Sequence, residues 1–150
     1  MGLIWCPPFR TAFSRVDCLC FFHGDTGHFY RPLYLELGAR LAAQGIAFLS
    51  ANRRGHAIVA NGIRDGTLQG YAHESVADSR LDYAAWLELL HAKGHTSIAL
   101  AGHSGGAVRA VYAQSTAQFE AVEAVIAVSP GEYRHQGLID LYGEGFRALE

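Results

Sequence analysis

The segment at residues 102–106, Gly-His-Ser-Gly-Gly, constrains the fold of this chain more than any other part of its sequence. It lies between two mainly apolar runs, at 98–101 and 107–113. This arrangement predicts a strand, a sharp turn with Ser104 at its apex, and a helix. A serine in so tight a turn needs a strained backbone, and flanking glycines relieve the crowding. The following helix would direct unsatisfied N–H groups toward the same point.

Alternating strands and helices are predicted on both sides of this turn. Apolar runs predict strands at 18–22, 46–50, 97–101 and 122–128, and helical spacing predicts helices at 32–44, 75–93 and 106–116. Leu33, Leu37 and Leu41 form the apolar stripe of the first helix. The alternation predicts one α/β domain over residues 1–150, with a doubly wound, mostly parallel sheet and helices on both faces. Residues from about 137 to 150 are expected to begin a lid helix.

The carboxyl ends of the predicted strands define the expected site, because ligands bind beyond those ends in parallel sheets. Four segments should meet there: 23–25, 52–55, Ser104 and 129–131. The segment 52–72 is punctuated by glycines and shows no sustained periodicity, which is typical of a functional or mobile loop. Its apolar residues suggest a wall for a moderately hydrophobic acyl or alcohol group.

The chemistry expected at this edge is nucleophilic attack by Ser104. A serine hydroxyl becomes a nucleophile when a base takes its proton and donors hold the charge that develops on the substrate carbonyl. The N–H of Gly105 is one expected donor, and the N–H of Asp25, in the loop after the first core strand, is the other. His23, Gly24 and His103 are interpreted as supporting residues that hold these loops.

Three segments together resemble the α/β-hydrolase superfamily, in its serine esterase and lipase branch. They are His-Gly-Asp-Thr-Gly-His-Phe-Tyr at 23–30, Asn-Arg-Arg-Gly-His at 52–56, and the serine turn at 102–106. The resemblance extends from about residue 17 to 131. It implies a nucleophile at Ser104, an oxyanion hole at Asp25 and Gly105, and no cofactor.

The chain departs from that superfamily's pattern after Ser104. There the acid and then the histidine of the triad should follow the serine, yet His135 is the only later histidine. One explanation is that the sequence is the N-terminal portion of a longer hydrolase. Another is that Glu132 and His135 have been recruited as acid and base, and a third is a binding module without catalysis. Absent final strands would leave an apolar sheet edge exposed, which predicts self-association.

The favoured function is a serine hydrolase of carboxylic esters or thioesters, with acyl transfer or a non-catalytic binding role as alternatives. The partner expected is a small-molecule ester or thioester. Nucleic acid is not expected, because the net charge is −2 and the only adjacent basic pair, Arg53-Arg54, is interpreted as solvated surface. The three cysteines lack metal-site spacing and are predicted to be reduced, buried thiols. The sequence shows neither a membrane span nor a signal peptide, so a cytoplasmic location is expected.

Overall fold

A five-stranded sheet forms the centre of the computed structural model, which describes residues 3–4, 16–61 and 66–131. In chain order the strands are β1 (Leu3–Ile4), β2 (Cys18–Phe22), β3 (Ala47–Ala51), β4 (Ala60–Asn61), β5 (Leu68–Gln69), β6 (Ile98–His103) and β7 (Val122–Val128). The sheet has the order β1-β3-β2-β6-β7, whereas β4 and β5 form a separate antiparallel pair. All pairings in the sheet are parallel except that of β1 with β3, so the predicted mostly parallel sheet is confirmed.

Three α-helices cover the two faces of this sheet, as predicted: α1 (Pro32–Ala43), α2 (Ser79–Ala92) and α3 (Gly105–Ala117). Helix α1 packs on one face, where Tyr34 contacts the cluster formed by Leu19, Phe21 and Phe48. Helices α2 and α3 pack on the other face. Alternate residues of the buried strands point to opposite faces, which explains why the central strands are apolar except for Ser50 in β3 and His103 at the end of β6.

Cys18 and Cys20 share the face under α2 and α3, and both are buried free thiols. Burial raises the pKa of Cys18 to about 12 and that of Cys20 still further. Both side chains therefore stay protonated and pack as small apolar groups, as the sequence predicts. Cys6 lies outside the described residues. None of the helices in the described segments is both long and apolar enough to cross a bilayer.

Three local predictions were wrong. Leu33 is 73 % exposed, because the buried side of α1 is formed by Tyr34 and Gly38 with Leu37 and Leu41 at its margin. Helix α2 starts at Ser79 rather than Ser75, after a short 3-10 turn whose N-terminus is closed by a capping box between Ser75 and Asp78. The segment 52–72 is more than a loop, since it contains the β4–β5 pair.

The register of the sheet aligns the carboxyl ends of the four parallel strands. Phe22 is level with Ala51 on one side and Gly102 on the other, and His103 is level with Val128. The segments that follow β2, β3, β6 and β7 therefore leave the sheet at one edge, which is the edge expected to carry the site.

Candidate active site

Ser104 occupies the turn between β6 and α3, with φ 53° and ψ −123°. Residues other than glycine rarely adopt a positive φ. Those that do concentrate at functional sites, where the surrounding structure enforces the conformation. Here the serine N–H donates to the carbonyl of Val128 at 3.0 Å, and its carbonyl accepts from Ala107 N–H at 2.9 Å. The end of β7 and the first turn of α3 therefore hold the strained residue from both sides.

The glycines on either side of the serine are required by close backbone approach. A Cβ at Gly102 would collide with the backbone carbonyl of Gly106, and would lie 2.6 Å from the backbone nitrogen of Ala107. A Cβ at Gly106 would collide with the carbonyl oxygens of His23 and Phe22. Helix α3 can begin directly under the sheet edge only because both positions lack a side chain.

The loop after β2 lies against the serine. A Cβ placed on Gly24 would be 3.2 Å from Ser104 Cβ and 3.2 Å from the Nδ1 atom of His103. The loop closes through a hydrogen bond from Gly27 N–H to the carbonyl of Gly24 at 3.1 Å, with Thr26 at φ 56°. A positive φ at the third position of a tight turn normally falls to glycine or asparagine. This loop is thus a second strained segment at the same edge.

His23 is fully buried and fixes the Gly24 carbonyl. Its Nδ1 lies 2.7 Å from that oxygen, so Nδ1 carries the proton and the ring donates. Desolvation lowers the pKa of His23 to about 4, and the imidazole is neutral at pH 7. The peptide plane that contains this anchored carbonyl also contains the N–H of Asp25, on the opposite side. The Asp25 N–H is therefore directed away from His23.

Gly105 begins α3, where a backbone N–H has no intrahelical acceptor. Among the described residues no backbone carbonyl accepts from it either. A Cβ at Gly105 would collide with the carboxylate of Asp25. The structure therefore brings together the two segments expected to donate to an oxyanion, and packs the Asp25 side chain on the first residue of α3.

Arg53 corrects the interpretation of the Arg53-Arg54 pair as solvated surface. Arg53 is 2 % exposed, and its Nη1 donates to the carbonyl of His23 at 2.7 Å. Its Nη2 pairs with Asp25 Oδ1 at 2.8 Å, and its Nε and Nη2 both donate to the carboxylate of Glu74. Arg54 is half-buried and pairs with Asp82 instead. Burying a guanidinium is costly unless carboxylates and carbonyls satisfy its donors, and here they do.

Arg109 of α3 completes this buried cluster. Its Nη1 donates to the carbonyl of Gly105 at 3.0 Å and to Asp25 Oδ1 at 3.1 Å, and its Nη2 pairs with Glu74. We call the set Arg53, Arg109, Asp25 and Glu74 the charge cluster. It contains two cations and two anions, so its formal charges balance. Sequence reasoning missed Glu74 and Arg109, because nothing in their local pattern indicates a buried partner.

The remaining histidines near this edge have other surroundings. His103 is half-buried beside Gly24, and His56 is exposed with its Nδ1 3.0 Å from the carbonyl of Arg53. Within the described segments Ser104 Oγ has no side-chain hydrogen bond. Glu132 and His135, the candidate acid and base, lie outside the described residues. No group of His, Cys, Asp and Glu within those segments is arranged to hold a metal ion.

A parallel sheet between helical layers, a serine of positive φ between strand and helix, and a glycine loop against it define an α/β-hydrolase fold. A family model described as serine aminopeptidase, S33, matches residues 15–143, so the chain belongs to that family.

One similar solved structure is described as ferulic acid bound to Est1E from Butyrivibrio proteoclasticus. It has a TM-score of 0.60 and 22 % sequence identity, over 96 % of this chain and 52 % of that one. The chain thus spans about half the length of that structure. At this identity the likeness concerns the fold. No curated protein is significantly similar in sequence.

Proposed function

We propose that this protein is a serine hydrolase that cleaves carboxylic esters or thioesters through an acyl-enzyme on Ser104. The observation that carries the proposal is the strained φ of 53° at Ser104, held where β6 meets α3 and where Gly24 packs against the serine. Strain of this kind costs free energy, and a fold maintains it where presenting the side chain has a use. Membership in a family described as serine aminopeptidases supports the same chemistry.

In the proposed reaction, Ser104 Oγ attacks the substrate carbonyl carbon and gives its proton to a base. The carbonyl oxygen becomes an oxyanion, and the N–H groups of Asp25 and Gly105 donate to it. Collapse of this intermediate breaks the ester bond, and the alcohol or thiol leaves with the proton. Water then attacks the acyl-enzyme in the same way and releases the acid. Each donor contributes roughly 2.7–4 kcal/mol to lowering the barrier.

Two explanations compete for the base that takes the proton from Ser104. In sequence, Glu132 and His135 follow β7, and the end of that strand lies at the edge that carries Ser104. A base only three residues from its acid, in the same segment, rarely reaches both the acid and the serine. The competing explanation is that a residue other than His135 takes the proton from Ser104. Replacing His135 with alanine separates the two, because a recruited base would make that variant unreactive.

The proposed substrate is a small ester or thioester with a moderately hydrophobic acyl or alcohol group. Two observations support it: the segment around β4 and β5 exposes Ile58, Val59 and Leu68, and the solved structure of similar fold is described with bound ferulic acid. A chain-length series of nitrophenyl esters tests this, and equal rates throughout would contradict it. Faster cleavage of an aminoacyl nitroanilide would favour a peptidase, and a product formed with an added alcohol would favour acyl transfer.

The decisive experiment is labelling with a fluorophosphonate, which reacts with an activated serine. We expect the protein to be labelled on Ser104, and Ser104→Ala to lose the label because the nucleophilic oxygen is gone. Ser115→Ala is the matched control, since Ser115 is exposed on α3 and donates only to the carbonyl of Tyr112. A folded wild-type protein that is not labelled would refute the proposal. Ligand binding that survives Ser104→Ala would then favour the non-catalytic binding role.

A further inference from the structure

The charge cluster connects the two segments that carry the proposed oxyanion donors. Arg53 holds the loop after β2, because its Nη1 donates to the carbonyl of His23 at 2.7 Å. Arg109 holds the first turn of α3, because its Nη1 donates to the carbonyl of Gly105 at 3.0 Å. Each guanidinium therefore fixes one of the two segments through a backbone oxygen next to the site.

Glu74 joins these two guanidinium groups from outside both segments. Its Oε2 accepts from Arg53 Nε at 3.0 Å, and its Oε1 accepts from Arg53 Nη2 at 3.0 Å and from Arg109 Nη2. Its side chain is 2 % exposed, against 20 % for Asp25, the other carboxylate that contacts both arginines. The two hydrogen bonds from the Arg53 guanidinium to the two Glu74 oxygens fix the orientation of the carboxylate as well as its distance.

The position of Glu74 is itself determined by the chain. It follows the 3-10 turn Tyr71–His73 and precedes the capping box at Ser75, so its backbone is held on both sides. The carboxylate occupies the space that a Cβ on Gly55 would fill. Gly55 therefore gives Glu74 room to reach the arginines beneath the serine turn.

We infer that Glu74 is a positioning residue for the oxyanion hole: through Arg53 and Arg109 it sets the Asp25 and Gly105 amides relative to each other. This inference rests on the proposed function, which supplies the oxyanion. Within the described residues, Glu74 makes hydrogen bonds to Arg53 and Arg109 and none to Ser104, Asp25 or Gly105, so it acts through the two arginines. A misplacement of about 1 Å in a reacting geometry can lower the rate roughly 100-fold, and removing Glu74 would release both guanidinium groups.

The test compares Glu74→Gln with Glu88→Gln in the full chain. Gln keeps the shape of Glu and removes its charge, and Glu88 is exposed on α2. Kinetics of the fluorophosphonate reaction give two constants: KI, for reversible binding of the probe, and kinact, the rate constant for formation of the covalent bond. We expect kinact of Glu74→Gln to fall roughly 10- to 100-fold with KI within about threefold of wild type, because the phosphonyl oxygen uses the donors only in the bonding step. Glu88→Gln should match the wild type.

Glu74→Gln leaves two buried guanidinium groups with one carboxylate, so a second variant guards against failure to fold. Glu74→Asp retains the charge and withdraws the carboxylate by one methylene. We expect it to fold and to lose kinact by a smaller factor. Unchanged kinact in folded Glu74→Gln, or in Glu74→Asp where Glu74→Gln does not fold, would overturn the inference. So would a loss explained entirely by a smaller folded fraction.

A readout that needs no activity separates this inference from the proposed function. The amides of Gly27 and Ala107 close the two turns, donating to the carbonyls of Gly24 and Ser104. We expect Glu74→Gln to speed hydrogen exchange at both, and not at Ile46, whose amide donates to Leu41 at the far end of the sheet. Unchanged exchange at Gly27 and Ala107 would refute the positioning role. If Glu74→Gln speeds exchange at both amides but the fluorophosphonate does not label the wild type, the proposed hydrolase is refuted instead.

Discussion

The buried imidazole of His23 is the single group in the described segments whose ionisation bears most directly on the site. Its ring donates to the carbonyl of Gly24, and desolvation lowers its pKa from 6.5 to about 4. The unfolded chain therefore binds a proton at His23 that the folded protein does not, between pH 6.5 and 4. Stability is full above pH 6.5 and falls as the pH drops through this window, by up to about 3 kcal/mol.

This pH dependence can be measured with His23→Asn, since the Nδ2 of asparagine can replace Nδ1 as the donor to Gly24. We expect urea unfolding of the wild type to lose stability between pH 6.5 and 4, and the variant to lose about 3 kcal/mol less over the same interval. His91→Asn is the control, because His91 is exposed on α2. Equal pH dependence in wild type and His23→Asn would show that this ring is protonated in the folded protein.

The residues of the site divide into those the sequence could predict and those it could not. Ser104 was predictable, because its glycines and the apolar strand before it are local signals of a strained turn. Arg53 and Arg54 look alike in sequence, yet the first is buried and the second half-buried. What distinguishes them is Glu74, which lies 21 residues from Arg53 and reaches it through the space left by Gly55. Such a contact leaves no local pattern.

The packing of α3 against the end of β2 couples the serine turn to the loop beside it. A Cβ at Gly106 would lie 2.5 Å from the carbonyl oxygen of Phe22 and closer still to that of His23. Both are backbone atoms, at the end of the central strand β2 and directly after it, so they cannot rotate away as a side chain could. Gly106→Ala should therefore force α3 outward and lower the free energy of unfolding by about 2–3 kcal/mol.

Denaturant unfolding of Gly106→Ala and Gly94→Ala checks this expectation. Gly94 follows α2 at φ 90°, and a Cβ there would meet nothing within 4 Å. Gly94→Ala therefore reports the conformational cost alone, which is about 1–2 kcal/mol for a left-handed residue. A loss of stability in Gly106→Ala no greater than in Gly94→Ala would mean that the helix is not packed as closely as the structure indicates.

Secondary-structure elements were predictable where burial imposes a pattern. Strands β2 and β7 were predicted with the bounds the structure gives. Strand β2 is a continuous apolar run between Asp17 and His23, and β7 is apolar except for Glu123 and ends before Ser129. In the predicted stripe of α1 only Leu33 was wrong, since it follows Pro32 on the solvent side and Tyr34 fills the core, whereas Leu37 and Leu41 pack against the core. Strands β4 and β5 have two residues each, which is too short for any periodicity.

At the scale of the whole molecule, the described segments cover the two faces of the sheet unequally. Val125 of β7 packs in the core under α2 and α3, whereas Ile126 and Val128 are 46 % and 44 % exposed. Since neighbouring strand residues point to opposite faces, these two lie on the face that α1 covers farther along the sheet. In the described segments β7 also pairs on one side only. An apolar strand with a free edge is a site for association with another chain.

We therefore expect this chain to self-associate as its concentration rises, and Ile126→Lys to reduce that association by placing charge on the exposed face. Sedimentation velocity over a range of concentrations measures the effect. Val111→Lys is the matched control, because Val111 is 48 % exposed on α3, beyond the opposite face. A protein that stays monomeric at all concentrations would contradict the assignment of β7 as the self-association surface. So would an equal reduction of self-association by Ile126→Lys and Val111→Lys.

The contact of Asp25 with the first residue of α3 limits how this protein can vary. The carboxylate fills the volume that any side chain at Gly105 would need. Position 105 can therefore gain a methyl group only if the Asp25 carboxylate moves or is lost, and either change weakens its ion pairs with Arg53 and Arg109. A viable homologue with alanine at 105 should consequently have replaced an arginine as well, so these three sites are expected to change together through evolution.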